Sequence, residues 1–313
     1  MKIVIDVDTL QSSGILSPEI AATLRRHALR ETGSLAINLL LAFGAIVFAA
    51  GGSALVASAA AVAFFGCGFI LLGYLVKRSY GKQWSALAAV WMITGALALA
   101  VALGWIIKEP LPASIIAFAI FGFVGALAES RLLIALTPLA LSSALGGSTG
   151  YWHATYMLSI QEPTITIVLF SLLAYASWRL ANILKDSAQN MAIIFARMCV
   201  ILVNLGFWIG SLWGDAPGHL WHGMIGTMTA SPFIPSFVFI IGWALALLLV
   251  GIWGAHNGRR FIVNTVAVFG AIHFYTQWFE HLGAQPFAVM LAGIVTIGIG
   301  IGLWRYNRNV VEN

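Results

Sequence analysis

Charge is what this sequence has least of. Its 313 residues include 16 Lys and Arg and 11 Asp and Glu, 9% of the chain, where a soluble domain carries about 25%. So few charges cannot cover the surface of a water-soluble fold of this length. Cysteine is scarcer still: Cys67 and Cys199 each sit inside an apolar run, which excludes a disulfide framework and a cysteine-based metal site. A dense basic patch is missing as well. The net charge of +5 is spread in twos and threes without interleaved aromatic platforms, so nucleic acid is not an expected partner. There is no H-E-x-x-H, no P-loop and no G-x-G-x-x-G at a strand-to-helix turn, and hence no assigned catalytic residue, metal or cofactor. Gly146-Gly147-Ser148-Thr149-Gly150 reads as a loop and hinge, and the GIGIG run at 298–302 as a small-residue packing surface. No apolar core of 7–15 residues follows the initiator within the first 30 positions, so no secretory signal is expected.

What the sequence has in abundance is apolar length. Hydrophobic residues make up 60% of it, and from Leu35 onward apolar stretches follow one another with short breaks. A spanning helix needs about 20 such residues. Ten segments qualify, near 35–50, 53–76, 84–107, 111–128, 132–147, 164–181, 191–213, 234–254, 261–281 and 286–304. The fifth is short and broken by Pro138. The expected fold is all-α, a polytopic transmembrane bundle of about ten spans over 35–309, with a C-terminal tail at 310–313. Lys and Arg check that count, because they collect in cytoplasmic loops. With both termini cytoplasmic, Lys2, Arg25, Arg26, Arg30, Lys77, Arg78, Lys82, Arg131, Arg179, Lys185, Arg259, Arg260, Arg305 and Arg308 fall on one side, 14 of the 16. Lys108 falls on the other, and Arg197 within the seventh span. Removing or adding one span would scramble this sorting. Ten spans could divide into two inverted five-helix halves, although no repeat marks such a division.

Residues 1–34 differ from the rest, having several full charges and no long apolar run. Asp8 with Gln11 reads as an N-cap box, Gly14 as a stop, and Ser17-Pro18-Glu19 as the start of a second helix with proline in its first turn. Ile20, Leu24 and Ala28 recur at helical spacing, with Arg25, Arg26 and Arg30 off that stripe. The segment is expected to be a cytoplasmic amphipathic module lying on the membrane surface or on the protein's own cytoplasmic face.

Three segments carry a family resemblance: LQSSGILSPEIAATL at 10–24, FWIGSLWGD at 207–215, and the run from Asn257 to Asn309 that begins NGRRFIVNTVAVFGAIHFYTQWFEHLG. In these the chain resembles the bacterial membrane proteins grouped as domain of unknown function 2157. The resemblance implies a bacterial inner-membrane protein with a short cytoplasmic N-terminal module. It brings no activity, so no site residue is carried over from it.

Polar residues inside spans are where function would show. Arg197 is a full charge within the seventh span, a position that costs ~2.5–3.5 kcal/mol at mid-membrane on insertion scales. Two readings stay open for it: a side chain that snorkels to the interface or pairs with Glu129, and a contact for an anionic substrate or a gate. In the ninth span, His273, Gln277 and Glu280 fall at i, i+4 and i+7 on one face. In the seventh, Asn204, Trp208 and Ser211 make a matching stripe that ends at Asp215. Such faces turn toward protein or water rather than lipid, as polar glue, as an outward-open cleft, or as a proton relay through His273 and Glu280. A second constellation occupies the outer loops: Trp152 and His153 beside Tyr151, and Asp215, His219 and His222 beside Trp221. Interfacial aromatics are expected there in any membrane protein. The spacing of Asp215, His219 and His222 would also suit a divalent metal if that loop were helical.

The sequence alone leaves the activity unassigned. It is read as a non-catalytic membrane or envelope factor whose partners are the lipid bilayer and a cytoplasmic protein docked on residues 1–34. The alternative is a transporter or flippase for a small or amphiphilic solute, using an outward-facing cleft between the seventh and ninth spans.

Overall fold

A computed structural model describes residues 10–11, 16–56, 58–79, 84–152, 155–218, 232–283 and 285–312. These residues form ten helices and one hairpin: α1 (Pro18–Val56), α2 (Ala59–Ser79), α3 (Ser85–Ile106), α4 (Pro110–Ala128), α5 (Arg131–Ser143), β1 (Ser148–Trp152), β2 (Thr155–Ser159), α6 (Pro163–Ala181), α7 (Asp186–Trp213), α8 (Ser236–His256), α9 (Arg260–Leu282) and α10 (Pro286–Glu312). Each expected span overlaps a helix, but α1 runs on to Val56 so that the second begins at Ala59 and not 53, and the fifth ends at Ser143 and not 147. Six of them, α2, α3, α4, α6, α7 and α8, are long and apolar enough to cross a membrane. Their outward faces carry large apolar side chains, among them Phe64, Phe123, Leu172 and Leu249, all at least 63% exposed. Continuous apolar exposure on this scale suits lipid and not water.

The other four depart from the expected pattern. Helix α1 starts where expected: Pro18 occupies its first turn, and the Ser17 hydroxyl accepts a hydrogen bond from the Ile20 amide at 3.4 Å. It then runs 39 residues, about 58 Å at 1.5 Å per residue, without a break at residue 34. Its apolar part is Leu40–Val56. Helix α5 has only 13 residues with Pro138 inside, about 20 Å, and is too short to cross a core of ~30 Å unaided. In α9 the polar side chains dilute the apolar content, and in α10 the apolar stretch ends at Gly302. Asp8 and Gly14 lie outside the described residues.

The chain forms two compact units, residues 1–140 and 141–313, a division that no compositional shift announces. In the first unit, α2 and α3 pack through small residues. A Cβ added to Gly95 would lie 2.5 Å from the Gly66 carbonyl oxygen, and one at Gly73 would lie 2.8 Å from the Ala88 carbonyl oxygen. The two backbones are therefore in direct contact, the arrangement by which helices associate in lipid without a hydrophobic drive. The core is built on Met92, Phe121, Val124 and Leu133. Helix α4 ends at Glu129, whose φ of 53° is left-handed. Lys77 closes that end, donating from Nζ to the Leu127 carbonyl at 2.8 Å and to the Glu129 carboxylate at 3.0 Å. Glu129 is thus engaged by Lys77, a partner that the spacing of charges in the sequence does not suggest.

In the second unit the hairpin precedes the helices. Its strands are antiparallel, pairing Ser148 with Ser159 and Trp152 with Thr155. The expected loop and hinge at 146–150 is therefore partly strand. Gly146 takes φ +72°, and a Cβ there would meet Gln161 at 2.6 Å, so the turn into β1 requires glycine. Helices α6 to α9 follow. Gly206 of α7 faces Ile167 of α6, and Gly210 of α7 faces the Phe239 ring of α8. The cores here are Leu145, Phe170, Cys199 and Leu202, and Trp243, Leu247 and Phe269.

Candidate functional site

The polar stripe of α7 is hydrogen-bonded along its length. Asn204 is buried; its Nδ2 donates to the Val200 carbonyl at 2.8 Å, and its Oδ1 accepts from Trp243 Nε1 of α8 at 3.0 Å. One turn on, Trp208 Nε1 donates to Thr276 Oγ1 of α9 at 3.0 Å, and Thr276 in turn donates to the Ile272 carbonyl at 2.8 Å. Ser211 Oγ donates back to the Trp208 carbonyl at 2.7 Å. Helices α7 and α9 do face each other, yet the α9 partner is Thr276 and not a member of the expected His273, Gln277 and Glu280 stripe. His273 instead stands edge-on against Trp243, ring centroids 4.8 Å apart, and its buried Nδ1 has no hydrogen-bond partner. Gln277 is half-buried, and Glu280 is exposed near the end of α9. Asn204 and His273 thus meet on Trp243, a side chain that is 1% exposed. Neither Trp243 nor Thr276 had a sequence signal, since a tryptophan in an apolar helix and a lone threonine are both ordinary.

The end of α7 is tied to the start of α6 by two buried carboxylates. Asp215 accepts from the Thr164 amide at 2.7 Å, and Glu162, with no exposed surface, accepts from the Gly218 amide at 2.7 Å. Both acids sit at the helix N-terminus, where unpaired amides and the macrodipole favour negative charge. Asp215 also pairs with Ile234 through both backbone groups. His153, His219 and His222 lie outside the described residues, and of Trp152 the structure describes only its backbone in β1. The outer-loop constellation therefore shows one placed side chain, Asp215, already bonded to main chain.

Arg197 is exposed, with its guanidinium 4.7 Å above the Phe261 ring of α9. Because α7 begins at Asp186, Arg197 lies eleven residues in, about 16 Å along the helix. A hollow of about 370 Å³ opens beside it, lined also by Arg259, Trp178, Tyr175, Trp253 and Gln189. It adjoins a second hollow of about 220 Å³, with which it shares Ala174, Val200 and Ile262. The second is apolar apart from Ser171, Thr265 and Asn204, and Trp243 forms part of its wall. The two hollows lie side by side between α6, α7, α8 and α9, here called the chamber, cationic and aromatic at the Arg197 end and apolar toward mid-helix. The cleft expected from the sequence lay in the opposite half of α7. A separate hollow of about 460 Å³ lies at that end of α7, bounded by β2, Trp213, Asp215 and Phe233 and by no residue of α9.

Ser148, in a Gly-x-Ser-x-Gly setting, has the letters of a nucleophile elbow. The elbow needs a strand running into a helix; here a helix runs into a strand, and Ser148 opens β1. No family model, curated protein or solved structure matches the chain. Function has to be read from the chamber and the bonded polar stripe.

Proposed function

We propose that this protein is a non-catalytic integral membrane protein that binds an amphiphilic solute in the α6–α9 chamber, the binding step of a transporter or flippase. Ten helices cross the bilayer in this reading, with both termini cytoplasmic in a bacterial inner membrane. Membership of the domain of unknown function 2157 family belongs to the same proposal, as does a partner docked on residues 1–34. One observation carries it: a hollow lined by guanidinium and aromatic groups lies next to an apolar hollow at mid-helix, the two sharing Ala174, Val200 and Ile262 in their walls. Ligand sites have this character, mostly apolar with a few convergent polar groups. The bonded stripe Asn204, Trp208 and Ser211 supports a holding role over a reactive one, since its polar atoms are engaged within the protein.

Filling the inner hollow tests the reading. The purified protein is expected to carry an amphiphile identifiable by native mass spectrometry, and Ala246→Trp is expected to expel it while leaving the protein monodisperse. An Ala246→Trp protein that retains the same ligand would overturn the assignment. Side-of-membrane reporters address the span count separately. A fusion at His222 is expected to report from the periplasm, and a cytoplasmic signal there would refute ten spans with cytoplasmic termini.

A further inference from the structure

The chamber's wide end is chemically one-sided. Arg197 and Arg259 both line it, and no Asp or Glu does. Among the described residues neither arginine makes an ion pair; the pair found there is Lys77 with Glu129, in the other unit. An uncompensated guanidinium six residues past residue 191, where the apolar part of α7 begins, lies about 9 Å along the span and is costly unless the interface or something anionic meets it. Its geometry suits such a partner. The Arg197 guanidinium lies 4.7 Å from the Phe261 ring centroid, and the edge of a guanidinium matches the paired oxygens of a phosphate or carboxylate. Trp178, Tyr175 and Trp253 line the same hollow, the residue types that sit at the level of lipid head groups. Behind them lies the apolar hollow that ends at Asn204 and Trp243.

We infer that the chamber takes an amphiphile with an anionic, phosphate-type head group, held by Arg197 and Arg259 with its tail in the apolar hollow. This deepens the binding reading above and rests on it. The head group and the tail make separable demands. The two arginines set the preference for anionic over zwitterionic ligands, and the hollow sets the preference for a ligand with a tail over the bare anion.

The test is calorimetric titration of the full chain in an uncharged detergent with three probes: dihexanoyl phosphatidic acid, dihexanoyl phosphatidylcholine and inorganic phosphate. The phosphatidic acid is expected to bind saturably and at least about tenfold more tightly than either other probe, since in one the choline cation cancels the net negative charge of the phosphodiester and in the other the tail is missing. The double variant Arg197→Gln/Arg259→Gln is expected to lose about tenfold or more for phosphatidic acid and whatever affinity there is for phosphate, with phosphatidylcholine little changed. Should that variant misfold, a salt series on the unaltered chain separates the same outcomes: raising ionic strength from about 50 to about 500 mM shortens the Debye length severalfold and should weaken the anionic probes, phosphatidic acid and phosphate, while leaving phosphatidylcholine nearly unchanged. Equal, salt-independent binding of phosphatidic acid and phosphatidylcholine would overturn the head-group assignment while leaving the binding chamber intact. Phosphate binding as tightly as phosphatidic acid would overturn the tail assignment and leave an anion site. Absence of binding by all three would remove this inference, while an Ala246→Trp-sensitive ligand of other chemistry would keep the broader reading.

Discussion

Trp243 joins more of the second unit than any residue marked in the sequence. It donates its indole N–H to Asn204 on α7, takes the edge of His273 from α9, and walls the inner hollow from α8. Replacing Asn204 by Leu would leave that buried donor without an acceptor, which costs ~1–3 kcal/mol. Asn204→Leu is expected to lower the thermal midpoint in detergent accordingly. In Trp243→Phe/Asn204→Leu the losses should be less than additive, because neither half of the bond remains to be orphaned. Additive losses would show that the bond does not stabilise the fold. Lys77 and Glu129 make a contrasting case, being partly exposed at a helix end, where an ion pair contributes little beyond capping α4.

At the scale of elements, the contact of α2 with α3 is the most exacting feature. Gly95→Leu has to separate two backbones, since the obstructing atoms are the Gly66 carbonyl and the Ile70 amide and not flexible side-chain ends. Gly104, on the same helix, has nothing within 4 Å of an added Cβ. Gly95→Leu is therefore expected to abolish or severely reduce folded yield, on the scale of overpacking at about 1–3 kcal/mol or more, and Gly104→Leu to leave it unchanged. Size-exclusion profiles and thermal midpoints of the two variants decide it, and equal behaviour would discredit the packing. The helices themselves were legible from apolar length and from breaks such as Ser17-Pro18, because helix formation in lipid follows from local composition. The hairpin was not legible. Its register depends on Gly146 taking a left-handed turn against Gln161, fifteen residues away, which leaves no periodic trace at either position. The same holds for the site. Asn204, Trp208 and Arg197 stood out as polar groups in apolar helices, whereas Trp243, Thr276 and Glu162 acquire their roles only by meeting a distant partner.

Taken whole, the chain is nearly without ion pairs among its described residues and holds its helices through glycine contacts and a few internal hydrogen bonds. Its fit to the surrounding bilayer accordingly has few polar contacts to compete with. With α5 as one of the ten spans proposed above, it is where that fit is tightest. Thirteen residues span about 20 Å, Pro138 forgoes one rung of backbone bonding, and the strands begin five residues later. Hydrophobic mismatch, at fractions of a kcal/mol per Å, then falls on this one segment, since the longer neighbours can tilt and α5 cannot lengthen. The protein should be more resistant to heat in bilayers of short-chain lipid than of long-chain lipid, by a margin that shrinks when residues are inserted to extend α5. Its preference among membranes would thus be set by thickness as much as by any ligand.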